Sequence, residues 1–298
     1  MKETGQPSKE AFRKVASEIH QAFSQIGFVY LINHGISKEQ ASSIFQKSRD
    51  FFLLPLEVKE KYKRLPNHYD GYLSPDKEIL QSGVQTEMKE SYSIGNSESI
   101  FPSQEDAPGF KQTCLDFLSP CVALCRRFLV VLALSLDLAE DFFLKRHKEL
   151  TKYKENPSSL RILYYPPVTN VTDPTTVRCS EHSDFGTVTF LFQDSVGGLE
   201  VKTKSGEWIP ATPLEGAILV NVGDLLAIWS DGLYPATPHR ILVPREETKK
   251  RCSRSSLAYF VLPDDIVMVE PLDGSNRFPT VNAAEYLSSK LKTVLTYI

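Results

Sequence analysis

His182 and Asp184 stand two residues apart in Arg178-Cys-Ser-Glu-His182-Ser-Asp184-Phe-Gly-Thr-Val-Thr, at the head of a β-branched and aromatic run. In extended chain, residues i and i+2 project to one face, so this spacing sets an imidazole beside a carboxylate. The pair is half of a metal site. His239, in Tyr234-Pro-Ala-Thr-Pro-His239-Arg240, is the downstream candidate for a third ligand. Two imidazoles and one carboxylate on one side of a divalent ion leave its opposite side open, the pattern of non-haem iron(II) centres. Alone, a His-x-Asp pair is as readily a structural hydrogen bond.

Arg254-Ser255-Ser256 adds a second chemistry. On a strand Arg254 and Ser256 share a face, which places a guanidinium fork next to a hydroxyl. Arg binds carboxylates bidentately through charge-assisted hydrogen bonds, so the pair suits an acid. A structural zinc is disfavoured by the lack of a fourth protein ligand. Cys179 and Cys252 have no metal-binding partner in spacing and read as buried thiols, and Asp194 and Asp224 read as turn residues.

Both constellations need elements to hold them. Apolar positions from Phe12 to Ile26 recur at helical spacing after a Ser8 N-cap, and Gly27 ends that helix. Phe28 to Ile32 reads as a strand, and a second helix follows from Ser37 to Pro55. Arg64 to Thr86 dissolves into turn signals, and Lys89 to Gly95 resumes as a strand. A long helix beyond Pro108 carries Leu118, Val122, Cys125, Leu129, Leu132 and Leu136 as a buried stripe, with Asp141 to Thr151 continuing helical. From Leu160 the chain becomes short strands separated by turn residues: 161–165, 187–193, 199–203, 218–222, 225–229, 239–243 and 256–262. Such spacing suggests a sandwich or jelly roll. Asn282 to Tyr297 reads as a closing helix.

Composition sets outer bounds. The chain has 298 residues, enough for a sizeable core. Its net charge of −3, from 34 basic and 37 acidic side chains, provides no field for nucleic acid or an anionic membrane. The start lacks the apolar core of a signal peptide, and no segment reads as an uninterrupted membrane span. Five cysteines without framework spacing fit a reducing compartment, so the expected location is the cytoplasm.

The ordered series Arg161-Ile-Leu-Tyr-Tyr-Pro-Pro, His182-Ser-Asp184-Phe-Gly-Thr-Val-Thr, Gly197-Gly-Leu-Glu-Val, Asn221-Val-Gly-Asp-Leu-Leu, His239-Arg-Ile-Leu-Val and Arg254-Ser-Ser256-Leu-Ala-Tyr-Phe resembles the isopenicillin-N-synthase-like family of iron(II)- and 2-oxoglutarate-dependent dioxygenases. Gly27-Phe-Val-Tyr-Leu-Ile-Asn-His-Gly-Ile and Lys89-Glu-Ser-Tyr-Ser-Ile-Gly resemble its N-terminal region, so the likeness spans nearly the whole chain.

The resemblance implies an α+β fold with a mainly β core. A double-stranded β-helix over 157–262 would be flanked by N-terminal helices in 1–156 and a C-terminal segment and helix in 263–298. It implies iron(II) on His182, Asp184 and His239, and the distal carboxylate of 2-oxoglutarate on Arg254, Ser256 and Tyr165. Phe260 and Arg161 match positions that contact the primary substrate in some members. Tyr69 to Ser74 and the chain end are expected cavity walls, Tyr72 among them. The implied reaction uses O2 and turns 2-oxoglutarate into succinate and CO2 while a small molecule is oxidised, most commonly by hydroxylation. Ascorbate would serve as reductant. A monomer without nucleic-acid or membrane partner is expected. Two departures stand out: Leu163 replaces an Asn common in the family, and the chain starts within or just before the first helix, which suggests a shortened form. Two other readings remain: an iron(II) oxidase of this fold that does not consume 2-oxoglutarate, and a catalytically silent ligand-binding member.

Overall fold

The computed structural model describes residues 8–66, 68–75, 77, 89–152, 154–168, 177–244, 246–275 and 277–294. Helix α1 (Lys9–Ile26) starts on Ser8, whose hydroxyl accepts from the Ala11 N–H at 3.1 Å. It stops at Gly27, whose φ of 71° is left-handed. A Cβ at Gly27 would collide with the Pro235 carbonyl, so only glycine fits where α1 turns into strand β1 (Phe28–Leu31). Helix α2 (Lys38–Phe52) opens on a capping box between Ser37 and Gln40. The short α3 (Leu56–Lys59) leads toward strands β2 (Gly71–Leu73) and β3 (Glu90–Ile94), which pair antiparallel. The expected turn region from Arg64 to Thr86 lies partly outside the described residues.

Helix α4 (Phe110–Ser135) has 26 residues and is, by length and composition, apolar enough to cross a membrane. It serves here as the central core helix. Phe117 and Phe128 meet Phe192 and Phe190 at ring separations of 5.0 and 5.2 Å. Each fully buried Phe of this kind stabilises the fold by roughly 1.5–3 kcal/mol. The expected helix over Asp141 to Thr151 is instead turns and one 3-10 segment, Leu144–Arg146.

The second half supplies β4 (Ser159–Tyr165), β5 (Val177–His182), β6 (Val188–Gln193), β7 (Leu199–Lys202), β8 (Trp208–Pro210) and β9 (Ile218–Val222). Helix α5 (Asp224–Trp229) follows, then β10 (His239–Leu242), α6 (Glu247–Lys250), β11 (Arg254–Val261), β12 (Met268–Val269), β13 (Val281–Asn282) and α7 (Ala283–Val294). The 225–229 segment, expected as a strand, is helical. Its continuous apolar run is buried throughout, and periodicity cannot separate a buried helix from a buried strand. Strands β5 and β8 escape prediction from the sequence, since neither has an apolar run.

Seven strands form one sheet in the order β1-β9-β6-β11-β4-β3-β2, and four form a second in the order β5-β10-β7-β8, all antiparallel pairs. Together they make a jelly roll. Strand alternation sorts the larger sheet into two faces. Leu160, Ile162 and Tyr164 of β4, Phe190 and Phe192 of β6, and Leu257 and Tyr259 of β11 belong to the core shared with the helices. Arg161, Leu163 and Tyr165, Thr189 and Leu191, and Ser256, Ala258 and Phe260 line a cavity instead. Residues of the smaller sheet, among them Cys179, Leu199, His239 and Ile241, line it too.

Candidate active site

His182 ends β5 and His239 begins β10, and the two are register partners. Asp184 lies beyond the end of β5, in the turn before β6. The two-residue spacing predicts a shared strand face. The structure brings the pair together through a turn, because β5 stops at its first histidine. The Asp184 Oδ1 atom stands 3.9 Å from His182 Nε2 and 3.8 Å from His239 Nε2. All three ligand atoms lie within 4.8 Å of one another, the arrangement that can hold one metal ion.

The other side of each ligand is fixed by hydrogen bonds. His182 Nδ1 lies 2.8 Å from the Ser180 carbonyl and His239 Nδ1 3.2 Å from the Thr237 carbonyl. A carbonyl only accepts, so Nδ1 is the donating nitrogen of each ring and Nε2 is the nitrogen turned toward Asp184. Asp184 Oδ2 accepts from Thr189 Oγ1 at 2.6 Å and from Asn221 Nδ2 at 2.7 Å, which leaves Oδ1 for the histidine side. Burial pushes the His239 pKa down to about 4, with neighbouring His182 adding to the effect, so the ring is neutral at neutral pH. For Asp184 burial acts upward, and the facing His239 and His182 with the Asn221 and Thr189 hydrogen bonds reverse it. The carboxyl is held below its ordinary value. Two imidazole Nε2 atoms and one carboxylate oxygen are the donor set a divalent cation requires.

The Asn221-Val-Gly-Asp stretch clamps the Asp184 turn. Asn221 supplies the side-chain bond, and the Asp224 N–H donates to the Asp184 carbonyl at 2.7 Å. Gly223 is needed because a Cβ there would strike the Gly186 carbonyl. Asp224 in turn accepts from Tyr286 Oη at 2.8 Å and pairs with Lys290 at 3.2 Å, which ties α7 to the same turn.

Strands β11 and β4 place the acid-binding candidates together. Arg254 pairs in register with Tyr165, and Ser256 with Leu163. The Arg254 guanidinium is fully buried, lies over the Tyr165 ring at 5.1 Å, and donates to Ser256 Oγ at 3.1 Å, to the Gly197 carbonyl at 3.1 Å and to Gln193 Oε1 at 3.3 Å. Ser256 and Tyr165 line the same cavity as the His-Asp-His cluster. A buried guanidinium held by neutral acceptors fits an incoming carboxylate.

Of the substrate candidates, Phe260 and Arg161 line the cavity, and Arg161 donates to Ser91 Oγ at 2.8 Å. Tyr72 does not. It is 1 % exposed, packs on Phe51, and its hydroxyl donates to Glu90, so β2 turns this ring into the helical core. Tyr69 is the residue of that stretch that reaches the cavity, and Leu287 and Leu291 of α7 form another part of its wall. Residues 295–298 lie outside the described set. Cys252 is exposed rather than buried, and Cys179 is buried as expected. Lys89, Thr189 and Asn221 line the cavity as well, although sequence reasoning does not mark them as site residues. The alternation Lys89, Ser91, Ser93 on the approach to β3 is the signal that could have found the first.

Comparison with known proteins bears on this geometry. Residues 156–263 match the family model described as 2OG-Fe(II) oxygenase superfamily. Residues 3–114 match one described as non-haem dioxygenase in morphine synthesis N-terminal. A proline hydroxylase of Petromyces alliaceus is 34% identical over 89% of this chain and 85% of its own length. A 2-oxoglutarate-Fe(II) type oxidoreductase of Metarhizium rileyi is 32% identical over 98% of this chain and 88% of its own. The crystal structure of a full-length Neurospora crassa protein in complex with alpha-KG superposes with a TM-score of 0.86 at 31% identity, covering 96% of this chain and 93% of that one. Another structure of the same Neurospora protein holds alpha-KG together with thymine.

Proposed function

The chain belongs to the 2OG-Fe(II) oxygenase superfamily and is an iron(II)- and 2-oxoglutarate-dependent dioxygenase, and from that premise we propose that it hydroxylates a small organic molecule in the cavity between its two sheets. The observation that carries the reading is one cavity shared by the His182, Asp184 and His239 cluster and by Ser256 and Tyr165, with Arg254 behind them. His182 Nε2, His239 Nε2 and Asp184 Oδ1 would hold the iron, whose chemistry when bound is to activate O2 while 2-oxoglutarate is decarboxylated to succinate. The Arg254 fork and the Ser256 hydroxyl receive the distal carboxylate of the cosubstrate, with the Tyr165 ring packed against the fork. Arg161 and Phe260 then stand further along β4 and β11, at the positions of Ala258 and Ser159 in register, where the primary substrate would lie. The protein acts as a monomer in the cytoplasm; five free cysteines support a reducing compartment.

The test is turnover of candidate metabolites by purified protein under air with iron(II), ascorbate and 2-oxoglutarate. Substrate-dependent succinate is expected in equal amount to oxidised product. Product without succinate would instead favour an oxidase that does not consume 2-oxoglutarate. Under anaerobic conditions, iron(II) plus 2-oxoglutarate should give a weak visible charge-transfer band that His239→Ala abolishes; a wild-type protein without the band is not this enzyme.

A further inference from the structure

Arg178 lies on β5, four residues before His182, and is fully buried. Its Nη2 donates to the Cys252 carbonyl at 2.9 Å, two residues ahead of Arg254. The chain thus brings a second guanidinium to the start of β11, where the acid anchor sits. Its Nε and Nη1 atoms are buried and have no hydrogen-bond partner among the described residues. Buried donors are nearly always paired, so an orphaned pair on a charged group is a site-like feature.

The local charge is unbalanced. Arg178 and Arg254 are both buried cations. Among the described residues Asp194 is the acid acting on Arg178, and its oxygens already accept from the Val196 and Ser255 N–H groups. Burial lowers the Arg178 pKa, the Arg254 charge lowers it further, and Asp194 acts the other way. Among the described residues, two cations face one anion, which leaves room for one more carboxylate. Like charges held together in a poorly solvated place repel, and an arriving anion relieves that repulsion.

We propose that Arg178 is a positioning residue of the cosubstrate site: a second buried cation beside Arg254 that makes the protein select a dicarboxylic 2-oxo acid over a monocarboxylic one. The inference rests on the reading that Arg254, Ser256 and Tyr165 receive the distal carboxylate of 2-oxoglutarate. Arg178 acts on that carboxylate by its charge and by holding the start of β11 through Cys252.

The experiment titrates iron(II)-loaded protein anaerobically with 2-oxoglutarate and with 2-oxopentanoate, which has the same carbon chain and metal-binding end but no distal carboxylate. The charge-transfer band reports both. Arg178→Met should weaken 2-oxoglutarate about tenfold or more and leave 2-oxopentanoate unchanged, whereas a merely structural role would weaken both alike. Arg178→Lys retains the charge and should retain most of the preference, and it carries the test if the Met variant does not fold. Equal weakening of the two ligands in Arg178→Met, no weakening of either, or a folded Arg178→Lys that has lost the preference would overturn the proposal. Absence of the band in wild-type protein with 2-oxoglutarate would instead remove the functional reading beneath it.

Discussion

His239 and His182 are cross-strand partners on β10 and β5, with ring centroids 4.3 Å apart and each Nδ1 hydrogen-bonded to the carbonyl two residues before its own. The sheet register therefore sets two of the three metal ligands before any ion arrives. Asp184 is the ligand that comes from a turn, and the hydrogen bonds around it take the place of a strand partner.

Thr189 and Asn221 orient Asp184 through Oδ2. Thr189→Val or Asn221→Ala should weaken iron(II) binding by about 10-fold or more, the usual effect of removing a partner of a metal ligand. Competition with a chelator measures it; unchanged affinity in both variants would show that the turn backbone alone positions the carboxylate.

Gly223 approaches Gly186 so closely that a Cβ meets its carbonyl. Gly223→Ala should destabilise the fold by roughly 1–3 kcal/mol, as overpacking does, and shift the Asp184 turn. Urea denaturation reports the first effect and iron affinity the second. A variant as stable as wild type would mean that the two turns can separate at little cost.

His147 is fully buried, with Nδ1 2.7 Å from the Phe143 carbonyl and Nε2 2.9 Å from Thr187 Oγ1. Burial pushes its pKa down from 6.5 to about 4. Between those values the unfolded chain binds a proton that the folded chain refuses, so this contribution is complete above the unfolded value and is lost as pH falls toward the folded one. It amounts to roughly 3 kcal/mol when fully lost. Stability measured by denaturant at a series of pH values should drop over this window, and His147→Gln should flatten the drop. An equally steep dependence in the variant would assign it to other groups.

Tyr72 donates to Glu90, which also receives Lys59, and both charged side chains are largely buried. Tyr72→Phe should cost about 1–2 kcal/mol of stability, since it leaves a buried carboxylate short of a donor. Binding of 2-oxoglutarate and turnover should not change. Altered substrate selectivity at unaltered stability would return Tyr72 to the cavity wall.

Much of the fold was legible because its signals are local. Ser8 and Gly27 bound α1, Ser37 and Gln40 open α2, and strand alternation divides β4 and β11 into a core face and a cavity face. The residue types at His182, Asp184, His239, Arg254 and Ser256 announced a metal and an acid, since few other side chains perform those tasks. Where apolar runs lacked a period, as in α5, the sequence was ambiguous, and the backbone closes into a helix there, with the Ala227 N–H on the Gly223 carbonyl and the Ser230 N–H on the Leu226 carbonyl.

The sequence by itself determined which side chains could bind iron and a carboxylate, and in what order along the chain they occur. Tertiary structure alone decided that Asp184 joins the histidines from a turn held by Asn221 and Asp224, and that Tyr165 lies under Arg254. It also turned Tyr72 away from the cavity and brought Arg178 to the start of β11. Propensity and spacing act over a few residues. A side chain's final surroundings depend on which distant strands pair and in what register, and that is settled only when the two sheets close on each other.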